Sequence, residues 1–263
     1  MSIVTPDQVD DPDDGPVHGA DGVPSGAGAD RAELDVVVLH PRDAEAAAQG
    51  GADRLLLSAD PEDGHWSPEP ALVSAVVKET DVPVWVVLRT REDHFPRMIV
   101  LGETFLELGA QGLAYGFLDR DLEIDRASCA EMCSELGGVP WLFHGFDVAL
   151  DANHAWRDVL GLPGLESVIS AGSTRGLAHG AEELIVRAQR DPRVAALVTA
   201  GSGLTPEQVP WLVRAGVRRF AIGSSARAGA SWTRGSVEVD RVRSWRMLVD
   251  DALSRALGIP VDD

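Results

Sequence analysis

The sequence predicts an α/β fold, a (β/α)8 barrel, and three observations carry that prediction. Eight short apolar runs recur along the chain, separated by stretches of helical period. Each run lacks alternating polar positions, as expected of parallel strands buried on both faces. Several of the stretches between them end in a shared phrase, QGGADR, LGAQG or RAGVRR, in which a glycine just past the helix leads straight into the next run. The repeat occupies about 225 residues, close to the ~250 such a barrel typically uses.

The predicted strands are Asp35–His40, Arg54–Ser58, Val84–Leu88, Gly112–Tyr115, Pro140–His144, Ser167–Ser170, Val194–Thr199 and Arg219–Ile222. Each is short enough for a strand. The helical stretches between them are Arg42–Gln49, Pro68–Glu79, Arg97–Leu108, Arg126–Leu136, Asn153–Leu160, Ala178–Gln189 and Pro206–Ala215, with a last one near Val239–Leu257. A doubly wound open sheet is the alternative. It usually carries a glycine-rich dinucleotide loop after its first strand, whereas VVVLHPRDAEAA has none.

The first 32 residues differ from the rest. They hold seven Asp, one Arg, four Pro and five Gly, for a net charge of −6. Such a segment cannot bury enough apolar surface to fold and reads as a disordered acidic tail ahead of a barrel over 33–263. Its opening has neither a basic nor an apolar region, so no secretory leader is expected. No apolar run is long enough for a spanning helix. Two cysteines, Cys129 and Cys133, make no disulfide framework and point to a reducing cytoplasm.

Charge narrows the function. Forty-two acidic against 23 basic residues leave −19, a surface that repels nucleic acid and anionic lipid. Lys78 is the only lysine and sits near a helix end. Schiff-base chemistry on a buried lysine therefore has no candidate.

In a barrel, function lies at the C-terminal strand ends. Those ends carry His40, Ser58, Arg89 with Arg91, Tyr115, His144 with Asp147, Ser170, Gly201-Ser202-Gly203 and Gly223-Ser224-Ser225. The glycine-serine loops after the last two strands expose backbone N–H groups, the pattern of a phosphate site, or of tight turns alone. His144 with Asp147 suits general acid–base work. Alternation points Asp35, Arg54 and Arg89 into the barrel, as a floor ion network or as functional groups. Cys129 and Cys133 lie four apart on one helix face, either as soft ligands for Cu(I) or as core packing. His65, His94, His154 and His179 show no ligand spacing and read as surface residues. Trp156, Trp211, Trp232 and Trp245, on or near helices, suit a homo-oligomer interface or burial within the chain.

These residues together resemble a known family. LDVVVLHPRDAEAAAQGGADRLLLSADPEDGHWSPEPAL is similar to the opening of the CutC copper homeostasis family, with its Glu-Val-Cys-Val strand, Gly-Gly-Ala-Asp-Arg-Ile-Glu-Leu-Cys segment and Gly-x-Thr-Pro turn. VPVWVVLRTR, LGAQGLAYGFLDRDLEID, VPWLFHGFDVALD, VISAGS and LVTAGSGLTPEQV resemble later segments in the same order, from about Leu34 to Arg227. The resemblance implies a TIM barrel, a cytoplasmic location and a part in copper homeostasis. It keeps Arg54, Arg89, Arg91, His144 and Asp147, and sets Asp35 where the family has glutamate. The family's cysteines are Val37 and Ser58 here, the glutamate of Ile-Glu-Leu is Leu56, and Ser202 interrupts a run of glycines.

Three functions are thus carried forward. One is a copper-homeostasis barrel, with Cu(I) as the associated ion and the family thiols missing. Another is a barrel enzyme or pseudo-enzyme for a small anionic or phosphorylated metabolite, held by Arg54, Arg89, Arg91, Gly201, Ser202, Gly203, Gly223 and Ser224 and worked on by His144, Asp147 and Asp35. A partner-binding scaffold is the third.

Overall fold

The computed structural model describes residues 31–91 and 94–259. The acidic segment read as a tail lies outside the described residues, apart from Arg31 and Ala32. Eight parallel strands close into a barrel in consecutive order. They are β1 (Glu33–Val38), β2 (Arg54–Leu57), β3 (Val84–Val87), β4 (Gly112–Tyr115), β5 (Trp141–Phe143), β6 (Leu165–Ser170), β7 (Val198–Ala200) and β8 (Arg219–Ile222). The pairing of β1 with β8, Asp35 opposite Ala221, completes the closure.

The helices are α1 (Pro41–Gly50), α2 (Pro70–Val77), α3 (Phe95–Glu107), α4 (Arg126–Glu135), α5 (Ala152–Val159), α6 (Leu177–Arg190), α7 (Pro192–Leu197), α8 (Val209–Arg214) and α9 (Val239–Leu257). Local sequence starts and stops them. Pro41, Pro70 and Pro192 open helices, where the missing N–H costs nothing. Asp125 and Asp151 cap α4 and α5 by accepting from Ser128 N and from Asn153 and His154 N. Gly51 and Gly216 end α1 and α8 in the left-handed region, at φ +94° and +98°.

One predicted strand differs. Val194–Thr199 reads as a single apolar run, but Asp191 accepts from Arg193 N and Pro192 starts a helical turn there. Residues up to Leu197 belong to α7, and β7 begins at Val198. A short apolar run without period cannot distinguish helix from strand.

The core has two layers. Outward strand residues such as Val36, Leu55, Val86 and Leu113 pack under the helices. Inward ones, Val37, Leu56, Trp85, Val87, Ala114 and Leu142, fill the barrel, and Ile169 and Trp232 pack on them. The last helix, α9, seals α1: a Cβ on Gly50 would lie 2.5 Å from Val242 Cβ. Arg246 of α9 reaches Asp53 at 2.6 Å, tying the end of the chain to the entry of β2. Lys78 is exposed at the end of α2, as read from sequence.

Candidate functional site at the barrel mouth

The loop after β2 builds one wall of the mouth. Ala59 and Trp66 form an antiparallel bridge that folds the loop back on itself. Asp60 and His65 sit inside this turn at positive φ, 46° and 57°. Left-handed non-glycine residues cost about 1–2 kcal/mol each and persist only where their surroundings hold them. Two arginines do the holding. Arg89 and Arg91 stack on Trp66 at 4.6 and 4.7 Å. Arg89 Nη1 donates to Gly64 O at 2.6 Å, and Arg91 Nη2 to Asp63 Oδ2 at 2.6 Å.

His65 is thereby carried over the barrel. Its Nδ1 shares a 2.9 Å hydrogen bond with Ser58 Oγ at the end of β2. Its ring meets His144, just past β5, edge to face at 5.8 Å. Burial, followed by the nearby Arg89 charge, lowers His65 to about 4. Burial, His65 and Arg89 together lower His144 to about 3. Both imidazoles are neutral at pH 7.

Loops after β7 and β8 build the other wall. Ser202 at φ 61° and Gly203 at φ 92° turn the first loop. The second makes a 3₁₀ turn, Ser224–Ala226. Among the described residues, the backbone N–H groups of Ser202, Gly203, Ser224 and Ser225 have no protein acceptor. Trp232 closes the gap between the walls. It lies edge to face with His65 at 5.5 Å and covers Gly223, where a Cβ would come within 2.2 Å of its ring. A buried ion pair anchors the loop carrying Trp232. Arg227 Nη2 donates to Asp43 Oδ2 at 2.6 Å, while Asp43 Oδ1 accepts from Val237 N at 3.0 Å.

These walls enclose a cavity of about 360 Å³. Val37, Leu56, Ile169, Ala221 and Ile222 give it an apolar floor, and its rim is hydroxyl, imidazole and amide. In a chain with 42 acidic residues, no described carboxylate lines it.

The predicted site residues do not gather in one place. His144, Ser202, Gly203, Gly223 and Ser224 line the mouth cavity. Arg89 and Arg91 brace the loop that carries His65, and Gly201 lies against Ala221, where a Cβ would be 3.1 Å from the Ala221 Cβ. Arg89 was expected inside the barrel. Instead it follows the end of β3, where the chain leaves the barrel, and is exposed on Trp66. Asp147 belongs to the neighbouring strand end, accepting from Ser170 Oγ at 2.6 Å and Ala171 N at 2.7 Å. Burial raises its pKa against those hydrogen bonds.

Asp35 and Arg54 lie at the opposite, N-terminal end. Arg54 donates through Nε and Nη2 to Asp35 at 3.0 and 2.7 Å, and through Nη1 to Glu166 at 2.8 Å. Burial opposes its charge, but Asp35 together with Glu166 and Glu33 outweighs it and holds Arg54 above its ordinary value. A shallow cavity of about 510 Å³ opens beside this pair. Its charges, Glu33 with Arg219, Asp53 with Arg31 and Arg246, and Glu166 with Arg54, are already matched.

Cys129 and Cys133 are in the core between α4 and β5. Burial pushes Cys129 up to about 12 and raises Cys133 as well. Gly164 packs so closely that a Cβ there would be 2.8 Å from Cys133 Sγ. Copper(I) prefers ionised thiolates, so two protonated thiols in packed core do not fit it. With Val37 and Ser58 at the family's cysteine positions, the mouth offers no thiol either.

The sequence carries no motif showing that His65 and Trp232 line this cavity. His65 reads as a surface histidine because nothing in GHWSP signals that the loop folds inward. Its place in the loop following a strand end was the available clue. Of the other tryptophans, Trp156 and Trp245 are buried within the chain, and Trp211 is 59% exposed on α8.

Comparison with known proteins agrees with this architecture. The CutC family model matches residues 32–226. A CutC family protein of Citrobacter koseri is 31% identical over 193 residues, covering 69% of this chain and 75% of the relative. The human copper homeostasis protein cutC homolog is 31% identical over 193 residues, 70% of each. The crystal structure of the putative copper homeostasis protein CutC from Streptococcus agalactiae superposes with a TM-score of 0.64 at 18% identity, covering 73% of this chain and 98% of that one. Thiamine phosphate pyrophosphorylase from Pyrococcus furiosus shares the fold alone, with a TM-score of 0.56 at 14% identity, covering 86% and 98%. No helix among the described residues is long and apolar enough to cross a membrane. With the family model spanning most of the barrel, the chain belongs to the CutC family.

Proposed function

We propose that this CutC family barrel binds a small anionic, phosphate-bearing metabolite at its mouth, as an enzyme or pseudo-enzyme, and does not hold Cu(I) through thiols. One observation carries the reading: in an acidic protein, the mouth cavity is free of described carboxylates and rimmed by unclaimed N–H groups at Ser202, Gly203, Ser224 and Ser225. Such a rim solvates an oxyanion without a counter-charge inside the cavity. The exposed Arg89 guanidinium at the rim adds attraction from outside. At about 360 Å³ the cavity lies at the small end of ligand sites and suits a molecule of a few carbons. The two free, buried cysteines accord with a cytoplasmic setting.

The test is titration of the full chain with inorganic phosphate, followed by ³¹P NMR and thermal melting. Saturable binding and a melting temperature that climbs with phosphate are expected. Ser224→Glu, which places a carboxylate on the rim, should abolish both. A melting curve indifferent to phosphate, with no saturable binding, overturns the anion half. Anaerobic Cu(I) competition tests the other half. Tight binding that disappears in Cys129→Ser/Cys133→Ser would overturn it.

A further inference from the structure

The wall facing the anion loops is also built to contact a ligand. His65 sits at a left-handed φ of 57°, a conformation its loop sustains through the Ala59–Trp66 bridge and the arginine pair on Trp66. Strain of this kind collects where a side chain must be aimed. Ser58, fully buried, engages Nδ1. That leaves Nε2 as the ring nitrogen for the cavity, which His65 and His144 both line.

We infer that Ser58 fixes the ring nitrogen His65 presents, and that His65 and His144 bind a hydroxyl or carbonyl oxygen at the far end of a short phosphate ester whose phosphate sits on the Ser202–Gly203 and Ser224–Ser225 loops. This rests on the anion reading above and adds the ligand's second end. The observations converge on it. The apolar floor gives room for a short carbon body, and the cavity admits little more. Neutral imidazoles each offer one donor and one acceptor, which matches a hydroxyl or carbonyl and would not repel it. A purely alkyl phosphate would leave these buried polar atoms without partners, and that is the basis of discrimination. Trp232, in contact with His65 and over Gly223, holds the two walls at a set separation. His65 and His144 are contact residues in this account, and Ser58 is a positioning residue.

Calorimetric titration of the full chain with glycerol 3-phosphate, propyl phosphate and inorganic phosphate tests it. The two esters share a phosphate and a three-carbon chain, and differ in hydroxyls. Glycerol 3-phosphate is expected to bind about tenfold more tightly than propyl phosphate, the worth of one or two net hydrogen bonds. His65→Leu should collapse that ratio to near unity. Imidazole ¹⁵N NMR of the unmodified protein gives a second readout that needs no variant. The His65 Nε2 resonance should move with glycerol 3-phosphate and stay with propyl phosphate. Ser58→Ala should mix the His65 tautomers and lower the ratio, and Ser58→Thr should restore both. Equal affinity for the two esters, with inorganic phosphate still bound, overturns this inference and leaves the anion reading standing. Failure of all three phosphates to bind overturns both.

Discussion

The two ends of the barrel use similar polar residues to opposite ends. At the floor, every charge is consumed by another: Arg54 gives three hydrogen bonds to Asp35 and Glu166 and lies 4.3 Å over Trp85. At the mouth, the polar groups are neutral and turned toward an open cavity, while Arg89 and Arg91 are spent holding a loop. A buried charge must be paired or it destabilises the fold, so the floor had to become a closed network. Hydroxyls, amides and uncharged imidazoles carry a much smaller desolvation penalty and can be left for a ligand. The contrast accounts for the closed ion network around Arg54 at the floor.

The comparison is sharpest at Arg54. Arg54→Met should leave Asp35 buried and unpaired, and lower stability to urea by about 3–5 kcal/mol. Phosphate affinity at the other end should be unmoved. A variant that kept its stability but lost phosphate binding would reverse the roles of the two ends.

Acid should strike the mouth next. His65 titrates near 4 in the fold, against about 6.5 in an unfolded chain. Below pH 6.5 the unfolded chain takes up a proton the folded one refuses. Stability is therefore full above pH 6.5 and falls as pH drops to about 4, by about 3 kcal/mol from His65 alone. Asp147, raised by burial, acts with the opposite sign, its neutral form favoured in the fold as pH falls through its raised value toward its ordinary one. The difference between the parent protein and His65→Leu, measured by urea unfolding at pH 7 and 4.5, isolates the imidazole. Parallel profiles would mean His65 is not buried neutral.

Gly223→Ala tests the closing side chain. The new methyl would meet the Trp232 ring at 2.2 Å. Overpacking of this kind costs about 1–3 kcal/mol, and here it should swing Trp232 outward. A red-shifted tryptophan emission with weaker phosphate binding is expected. Unchanged emission would mean the ring does not close the cavity.

Arg89→Ala should have the smallest effect. Its charge is exposed, so phosphate affinity should fall only about fivefold, near 1 kcal/mol, and the loss should shrink as salt rises. A hundredfold loss would place Arg89 in direct contact with the anion.

Much of the fold was legible along the chain because its signals are local. Gly112–Tyr115, Arg219–Ile222 and Val239–Leu257 appear with the predicted bounds. The other elements, apart from β7, shift by only a few residues, mainly at their ends. The site was legible in part. The glycine-serine loops and His144 stand at strand ends that position alone identifies, and these line the cavity. His65 is not legible because its role depends on a turn pinned from beyond β3 by Arg89 and Arg91, about 25 residues further on. Trp232 is not legible because Arg227 and Asp43, 184 apart, hold its loop.

What the sequence determined by itself was therefore the repeating unit: apolar runs, caps and glycine stops, whose causes lie within a few residues. The family resemblance followed from the same ordered segments. What only the tertiary structure decided was which polar groups meet. Closing the barrel sends Asp35 and Arg54 to one end, where low dielectric compels them to pair, and brings His65 and His144 together at the other, where two loops leave them a shared space.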